Sequence, residues 1–427
     1  MNLELLYSRF LLSDGINTDT RSLKSGQMFW ALKGPNFNGN GFVRLALESG
    51  AAFVVCDEDT DLEDDRILRV EDGLSALQQL ARHHRQIWGK KVIAVCGSNG
   101  KTTTKELITK ALSVDKTVFA TPGNLNNHIG VPLSILQIRP EHDIAILEMG
   151  ANHPGEIAEL CQIAEPTSGL ITNVGKDHLE GFGSIEGSAE ANAELFDFLE
   201  TRGGIAFINT FDEWNLKLRS RVRKNFTYPA STDNLSCQSL KSGFYLILRL
   251  EGSEPVETQL TGQYNFHNMA CALTVAKYYK VNMDKALHAV ASYAPSNNRS
   301  QVLRTTHNVV ISDAYNANPS SMLAALENLI QIKADRKIAI LGDMLELGAD
   351  SETEHFELGA WASRQSDIHF LVTGTEMAAF ARAFPKAIYF QNKADLEDFI
   401  KKESISNATV LLKGSRGMKL ESLIPVL

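Results

Sequence analysis

The stretch Gly97-Ser98-Asn99-Gly100-Lys101-Thr102-Thr103 carries the sharpest chemical signal in the chain. An apolar run, Val92–Cys96, precedes it, and a helical pattern from Thr104 follows. Glycines let backbone N–H groups turn into one concavity, and the start of a helix adds positive dipole there. Lys101 can reach terminal phosphates, and the Thr102 hydroxyl can bind Mg²⁺. The spacing is GxxGKT; the longer GxxxxGK[ST] form would put a glycine where Val95 stands. Strand, loop and helix in this order predict a nucleoside-triphosphate site, set against a chance glycine-rich turn. The loop alone does not say which reaction follows.

Other residues could serve such a site, and each has a blander reading. Glu148 ends the run Ile144–Glu148 and offers the hard oxygen that Mg²⁺ prefers, or else caps a surface strand. A lone histidine such as His178 is more often structural. Asn124, Asn126 and Asn127 could bind carbonyls and phosphates, although asparagine-rich loops usually serve as turns. Asn265 and Asn268 could cap a helix. Asp313 could accept hydrogen bonds from ribose hydroxyls or simply end a strand. Lys413-Gly414-Ser415-Arg416 follows a strand and could hold a carboxylate in the two-pronged grip of arginine, or be a solvated basic loop.

The elements that must position these residues form three blocks. Up to about residue 85, turn-rich segments (Lys33-Gly34-Pro35-Asn36, Asn38-Gly39-Asn40-Gly41) surround apolar strands at Met28–Leu32 and Ala51–Cys56, and a helix over Leu74–Trp88 leads out. The second block opens with Lys91–Cys96 and continues with strand-like runs at Ile144–Glu148, Gly169–Thr172, Ile205–Asn209 and Phe244–Leu250. Strands alternating with helices predict a parallel sheet covered on both faces. The segment Tyr293-Ala294-Pro295-Ser296-Asn297 reads as a linker. The third block repeats the rhythm at Val309–Ser312, Lys337–Leu341, His369–Val372 and Thr409–Leu412; Gly342, Gly374 and Gly414 follow three of these strands and mark candidate binding loops. The predicted fold class is α/β with domains at 1–88, 89–296 and 297–427: a small α/β domain, a central parallel-sheet ATPase domain and a C-terminal Rossmann-like domain.

Composition fits that reading. The 427 residues are 44% hydrophobic and 22% charged, as in an ordinary globular chain. A net charge of −9 disfavours non-specific nucleic-acid binding, which depends on Lys and Arg. No run approaches the ~18 apolar residues of a membrane span. The N-terminus lacks a charged n-region followed by an apolar core, so no signal peptide is expected. Five cysteines (Cys56, Cys96, Cys161, Cys237, Cys271) form no CxxC pair, which argues against zinc and for buried thiols in a reducing cytosol.

The loop Gly97–Thr103 resembles the ATP loop of the Mur ligases and the related folylpolyglutamate synthases. Further segments are similar to that family in order and spacing. Leu147-Glu148-Met149-Gly150 looks like its acidic strand end, and Ile171–Glu180 like its metal-binding histidine segment, with His178 as ligand. Gly262–Asn268 looks like its nucleotide-base segment, with Asn265 and Asn268. Asn298-Arg299 and Asp313–Pro319 resemble its C-terminal ATP contacts. Thr18-Asp19-Thr20-Arg21 and Phe29–Gly34, with Lys33, resemble its UDP-recognition domain, which folylpolyglutamate synthases lack. Three segments, Thr121–Pro132, Asp313–Pro319 and Leu341–Gly348, look like the branch that adds D-alanyl-D-alanine.

The resemblance implies that ATP and Mg²⁺ (one or two ions) activate the terminal carboxylate of a UDP-N-acetylmuramoyl tripeptide for attack by the amine of D-alanyl-D-alanine. Lys101, Glu148, His178 and Arg299 would serve catalysis, with Thr102, Glu148 and His178 on the metal. Asn124, Asn126, Asn127, Asn192, Tyr315, Asn316, Asn318, Lys413, Ser415 and Arg416 would meet substrate. A cytoplasmic monomer is expected. The tripeptide's third residue is left open between diaminopimelate and lysine.

Two departures stand out. Most of these ligases carry a carbamylated lysine on the helix after the histidine segment, and here Asn192 falls at that position. Asparagine cannot form a carbamate, which puts the second magnesium site in question; Glu190 and Glu194, two residues away, face elsewhere on a helix. The family's Asp-Gly-His pattern reads Asn38-Gly39-Asn40 here. Alternatives are another Mur or folylpolyglutamate-type ligase, an ATP-driven switch or transporter subunit, and an inactive UDP-substrate-binding homologue.

Overall fold

Short apolar runs bounded by turns build the sheets, and the longer amphipathic runs between them cover the faces. The computed structural model describes residues 2–240 and 244–427. The N-terminal block holds a four-stranded parallel sheet in the order Ile16–Asn17, Met28–Trp30, Phe53–Cys56, Ile67–Arg69. The central block holds six parallel strands in the order Asn225–Tyr228, Ile205–Asn209, Ser168–Ile171, Lys91–Cys96, Ile144–Glu148, Val118–Ala120. The C-terminal block holds six more: Gln301–Arg304, Val309–Asp313, Thr409–Lys413, Lys337–Gly342, Ile368–Thr373, Ile388–Phe390. In it the first strand alone is antiparallel to its neighbour. This is the α/β class expected from the alternating pattern. Among the described residues no helix is long and apolar enough to cross a membrane.

The run Phe244–Leu250 departs from expectation. Its strand, Ile247–Leu250, pairs antiparallel with Cys237–Leu240 and Val256–Glu257 in a separate three-stranded sheet. The parallel sheet ends instead with Asn225–Tyr228, a strand that alternates polar and apolar residues and so lacks the continuous apolar signature of a doubly covered strand.

Burial links the blocks. Trp30 is fully buried and its indole N–H donates to the Gly73 carbonyl at 2.8 Å, at the start of the Gly73–Trp88 helix. That helix packs Leu77, Leu80 and Ala81 into a core shared by Met28 and Trp30 on one side and Val92, Ala94 and Cys96 of the central sheet on the other. The N-terminal block thus rests on one face of the central sheet through a continuous apolar core, the dominant favourable term in such packing. The opposite face, with Ile93 and Val95, is covered by Leu107 and Ile108 of the Lys101–Leu112 helix and by the Gln263–Tyr278 helix.

In the central sheet the chain runs from the Lys91–Cys96 strand to the edge strand Val118–Ala120, returns through Ile144–Glu148 and then crosses to Ser168–Ile171 on the other side of Lys91–Cys96, so the strand order reverses there. Such a switch point opens a crevice at the carboxyl ends of the strands. Register places Val95 opposite Glu148 and Cys96 opposite Ile171, so the phosphate-type loop, the Glu148 carboxylate and the Thr172–His178 segment emerge side by side.

Candidate functional site

Gly97 has φ +123°, and a Cβ there would lie 2.1 Å from Thr172 Oγ1 and 2.8 Å from the Thr172 nitrogen. Only glycine fits, which is why the loop can turn this tightly against the neighbouring strand end. The next segment then clamps it. Ser98 N–H donates to the Asn173 carbonyl (2.9 Å), and its hydroxyl donates to Asp177 Oδ1 (2.6 Å). Asn99 N–H donates to Asn173 Oδ1 (3.1 Å), while Asn173 Nδ2 and Thr172 Oγ1 donate to the Asn99 carbonyl (3.0 and 2.7 Å). Lys101 Nζ donates to the carbonyls of Gly97 and Ser98. Behind the loop, Asn268 abuts Gly100 and donates to Asn265 Oδ1 (3.1 Å), and Asn265 donates to the Thr261 carbonyl (2.8 Å). Both are buried inside the Gln263–Tyr278 helix and neither caps it, since Gly262 is the capping residue.

The loop faces a cavity of about 650 Å³ between the central and C-terminal blocks. Its walls include Ser98, Asn99, Gly100, Lys101, Thr102 and Thr103. Asn124, Asn126, Asn127, Glu148 and His178 line it from the central block, with Asn265 and Asn268. Arg299, Asp313, Tyr315, Asn316, Asn318 and Lys413 line it from the C-terminal side. Residues far apart in sequence therefore meet at one cleft.

Electrostatics in the cleft follow from burial. Glu148 is 1% exposed; its Oε1 accepts from Asn126 Nδ2 (2.9 Å), and its buried Oε2 has no hydrogen-bond partner. Lys105 Nζ stands 3.5 Å from that oxygen and donates to the carbonyls of Thr121 (2.8 Å) and Gly123 (2.7 Å). The Arg299 guanidinium lies 3.5 Å from the centre of the Tyr315 ring, with a buried Nε that also has no partner. Glu148 Oε2 has the Lys105 ammonium nearby but no hydrogen bond, and Arg299 Nε has no acceptor; the first suits a further cation and the second an anion, because buried polar groups left short of partners are costly. Burial lowers the pKa of His267, which lines the cavity from the Gln263–Tyr278 helix. Burial also raises the thiol of Cys96, directly below the loop, to about 12, and all five cysteines are buried as free thiols.

The C-terminal wall is tied to the loop. Asn318 caps the Pro319–Gln331 helix through a bond from Ser321 N–H (2.8 Å) and donates from Nδ2 to Asn99 Oδ1 (2.9 Å). Asp313 accepts from Ser300 N–H (2.9 Å) and pairs with Lys413 Nζ at 2.6 Å. Lys413 is 2% exposed and spends its charge on this neighbour, and Ser415 is buried against Leu345 N–H (2.9 Å). Arg416 pairs with Glu421 (2.7 Å) with its guanidinium 5.7 Å from the Tyr315 ring.

Several expected residues do not line this cavity. Gly97, Ser415 and Arg416 are not among its lining residues. Thr18, Asp19, Arg21 and Lys33 belong to the N-terminal block. There Arg21 forks onto Asp19 (2.7 Å), holding that carboxyl well below its usual range, and Lys33 pairs with Asp57 (3.2 Å). Asn192 is buried in the Ile185–Arg202 helix, where its Nδ2 donates to the Ser188 carbonyl (2.8 Å). Glu190 faces Arg221, and Glu194 accepts from the N–H groups of Gly155 (2.6 Å) and Ala158 (2.8 Å), so both point elsewhere.

Sequence reasoning gave no role to Lys105, Asp177 or Glu346. Lys105 sits four residues after Lys101, on the same helix face, and that spacing was its available signal. Asp177 immediately precedes His178. Glu346 lay within a quoted motif, with nothing local to say what it touches.

Comparison with known proteins agrees along the chain. Residues 13–85 match the model for the Mur ligase family, catalytic domain; 95–276 match the Mur ligase middle domain; and 298–416 match the Mur ligase, glutamate ligase domain. The UDP-N-acetylmuramoyl-tripeptide–D-alanyl-D-alanine ligase of Bacillus subtilis (strain 168) is 36% identical over 426 residues, covering 96% of this chain and 92% of the relative. The crystal structure of MurF from Acinetobacter baumannii superposes with a TM-score of 0.90 at 29% identity, over 99% of this chain and 98% of that one. MurF ligase from Thermotoga maritima, solved in complex with ADP, gives 0.87 at 28% identity, over 98% and 97%. The chain belongs to the Mur ligase family.

Proposed function

We propose that this protein joins D-alanyl-D-alanine to UDP-N-acetylmuramoyl tripeptide, driven by ATP. The observation that carries the reading is the cleft itself: the phosphate loop, Glu148 and Arg299 line one cavity in a chain similar end to end to ligases of that name. A carboxylate and an amine do not condense in neutral water. A terminal carboxylate oxygen of the tripeptide attacks the γ-phosphorus of ATP, and ADP leaves. The dipeptide amine then attacks the acyl phosphate carbon, loses a proton, and the tetrahedral intermediate expels inorganic phosphate.

Phosphoryl transfer of this kind needs chiefly positioning and charge neutralisation. Lys101 and Arg299 supply cations from the central and C-terminal blocks lining the cleft. Asn173 and Asp177 hold the loop through Ser98 and Asn99, leaving the N–H groups at the start of the Lys101–Leu112 helix for phosphate. Thr102, Glu148 and His178 would hold Mg²⁺, which when bound neutralises phosphate charge. Among the described residues no three His, Cys, Asp or Glu side chains form a ready metal cage. A site completed by nucleotide phosphates is the usual arrangement for this ion. Asn265 and Asn268 support the base side, Asp313 the ribose, and Asn124, Asn126, Asn127, Tyr315, Asn316 and Asn318 the acyl and amine substrates. Residues 1–88 would bind the UDP end through Thr18, Asp19, Arg21 and Lys33, residues 89–296 the ATP, and 297–427 would close the cleft. One chain supplies every wall, which supports a monomer, and the nucleotide-linked substrates belong to the cytoplasm.

The test mixes protein, ATP, Mg²⁺, tripeptide and D-alanyl-D-alanine, omitting each in turn. Phosphate release should require both amide partners and should accompany UDP-muramoyl pentapeptide by mass. Phosphate release without pentapeptide would reject the named substrates, and tight UDP-substrate binding without turnover would make the chain an inactive homologue.

Asn192 gives a second expected result. Its amide cannot take up CO₂ and already bonds within its own helix. Turnover should therefore be the same in CO₂-depleted buffer and in added bicarbonate. Stimulation by bicarbonate would mean that some other amine in the site is carbamylated.

A further inference from the structure

Glu106 sits in the second turn of the Lys101–Leu112 helix and is not among the residues that line the cleft. Its carboxylate holds the linker between the central and C-terminal blocks instead. Oε2 accepts from the Tyr293 hydroxyl, and Oε1 accepts from Asn297 Nδ2 (3.3 Å). One side chain thus grips both ends of Tyr293–Asn297. Tyr293 is buried; burial and the neighbouring carboxylate raise its hydroxyl well above the usual range, so it keeps its proton and donates. Two residues past Asn297 stands Arg299. Its guanidinium lies 3.5 Å from the centre of the Tyr315 ring. The residues on either side of it, Asn298 and Ser300, are left-handed, with φ +54° and +52°. Non-glycine residues keep that conformation only where their surroundings over-determine it. Here both blocks contribute. From the C-terminal block, Ser312 Oγ donates to Asn298 Oδ1 (3.0 Å), and Asp313 accepts from Ser300 N–H (2.9 Å). From the central block, the Tyr264 hydroxyl meets Ser300 Oγ (2.9 Å) after Arg299, and Glu106 holds Asn297 before it.

We propose that Glu106 is a positioning residue for Arg299: it grips the linker from the phosphate-loop helix and so sets where the Arg299 cation stands relative to Lys101. The two cations come from different blocks, and a phosphoryl group must meet both at once. Lys101 and Glu106 share one rigid helix, so the same element that places the first cation fixes the backbone leading to the second. The inference rests on reading the cleft as an ATP-driven ligase site.

The experiment measures pentapeptide formation by the full chain, with a thermal melt on each preparation. Glu106→Ala should lower kcat by about 10–100-fold, the cost of a slight misplacement at a reacting centre. In an Arg299→Ala background the same change should cost less than about threefold, because its effect runs through the arginine already removed. Glu106→Gln should retain most of the rate. It keeps an oxygen for the Tyr293 hydroxyl and brings a donor to Asn297 Oδ1, which is buried without a partner. Tyr293→Phe deletes a single hydroxyl and should show the same pattern with a smaller loss, which decides the matter if Glu106→Ala fails to fold. Unchanged kcat in Glu106→Ala overturns the proposal. So does an equal fold-loss with and without Arg299, since a merely structural residue would act alike in both backgrounds. If the parent protein makes no pentapeptide, the ligase reading fails instead. The affinity of the same variants for AMP-PNP with Mg²⁺, by calorimetry, then decides the role of Glu106: losses that do not add uphold it, and additive losses reject it.

Discussion

Lys101→Met should lower kcat by about a hundred- to a thousandfold, the usual cost of removing one preorganised charge from a site where negative charge develops. The effect follows from position. Lys101 is the first residue of the Lys101–Leu112 helix, after Gly100 in a left-handed turn, and it lines the cleft. In this structure its ammonium bonds to the carbonyls of Gly97 and Ser98. Those bonds lie within its own loop, so the ammonium can swing to a phosphate without disturbing another element. The same fact separates catalysis from folding: Lys101→Met should melt within a few degrees of the parent protein. Single-turnover phosphate release and a thermal melt on the same preparation check both halves. Turnover above a tenth of the parent rate would take Lys101 out of phosphoryl transfer, and a collapse of the melting temperature would make it a structural residue.

That loop was legible because its chemistry is contiguous: strand, glycines, lysine and helix follow one another within a dozen residues. Glu148 and Asp313 were legible for a related reason. Each ends an apolar run, and the ends of parallel strands share one edge of a sheet. What sequence could not show is which groups spend their charge on one another. Lys413 looked free to hold a substrate carboxylate, yet it is buried and bonded to Asp313 on the adjacent strand. Asn127 looked like a substrate contact; it lines the cleft, but its Oδ1 also accepts from Gly130 N–H (2.8 Å) at the start of the next helix. Asn192 was placed by alignment with a metal site, and its helix turns it inward toward Ser188, outside the cavity walls. Short edge strands such as Val118–Ala120 were missed because three residues carry no period. Contacts between blocks, such as His178 with Glu346, depend on docking and leave no local pattern.

Lys105→Met should produce the largest loss of stability of any single change considered, about 3–5 kcal/mol, because it strands a buried carboxylate. Lys105 and Glu148 are 2% and 1% exposed, so water cannot replace the ammonium. The two loop carbonyls that Lys105 holds, those of Thr121 and Gly123, lose their donor at the same time, and the segment leading to Asn124–Asn127 loses its tie to the phosphate-loop helix. A fall in melting temperature on the order of 10 °C is expected. Packing and charge are separable. In Lys105→Met with Glu148→Gln the uncompensated charge is gone, so the double variant should be more stable than the sum of the two single losses predicts, with a coupling of at least about 1 kcal/mol. Mg²⁺ offers the opposing control. A lone Glu148 carboxylate attracts a divalent cation more strongly than one shared with an ammonium, so Mg²⁺ should raise the melting temperature of Lys105→Met more than that of the parent protein. If the single variant melts like the parent, or if Mg²⁺ shifts the two equally, Lys105 is not the charge that balances Glu148, and the cation chemistry of this cleft must be assigned to other residues.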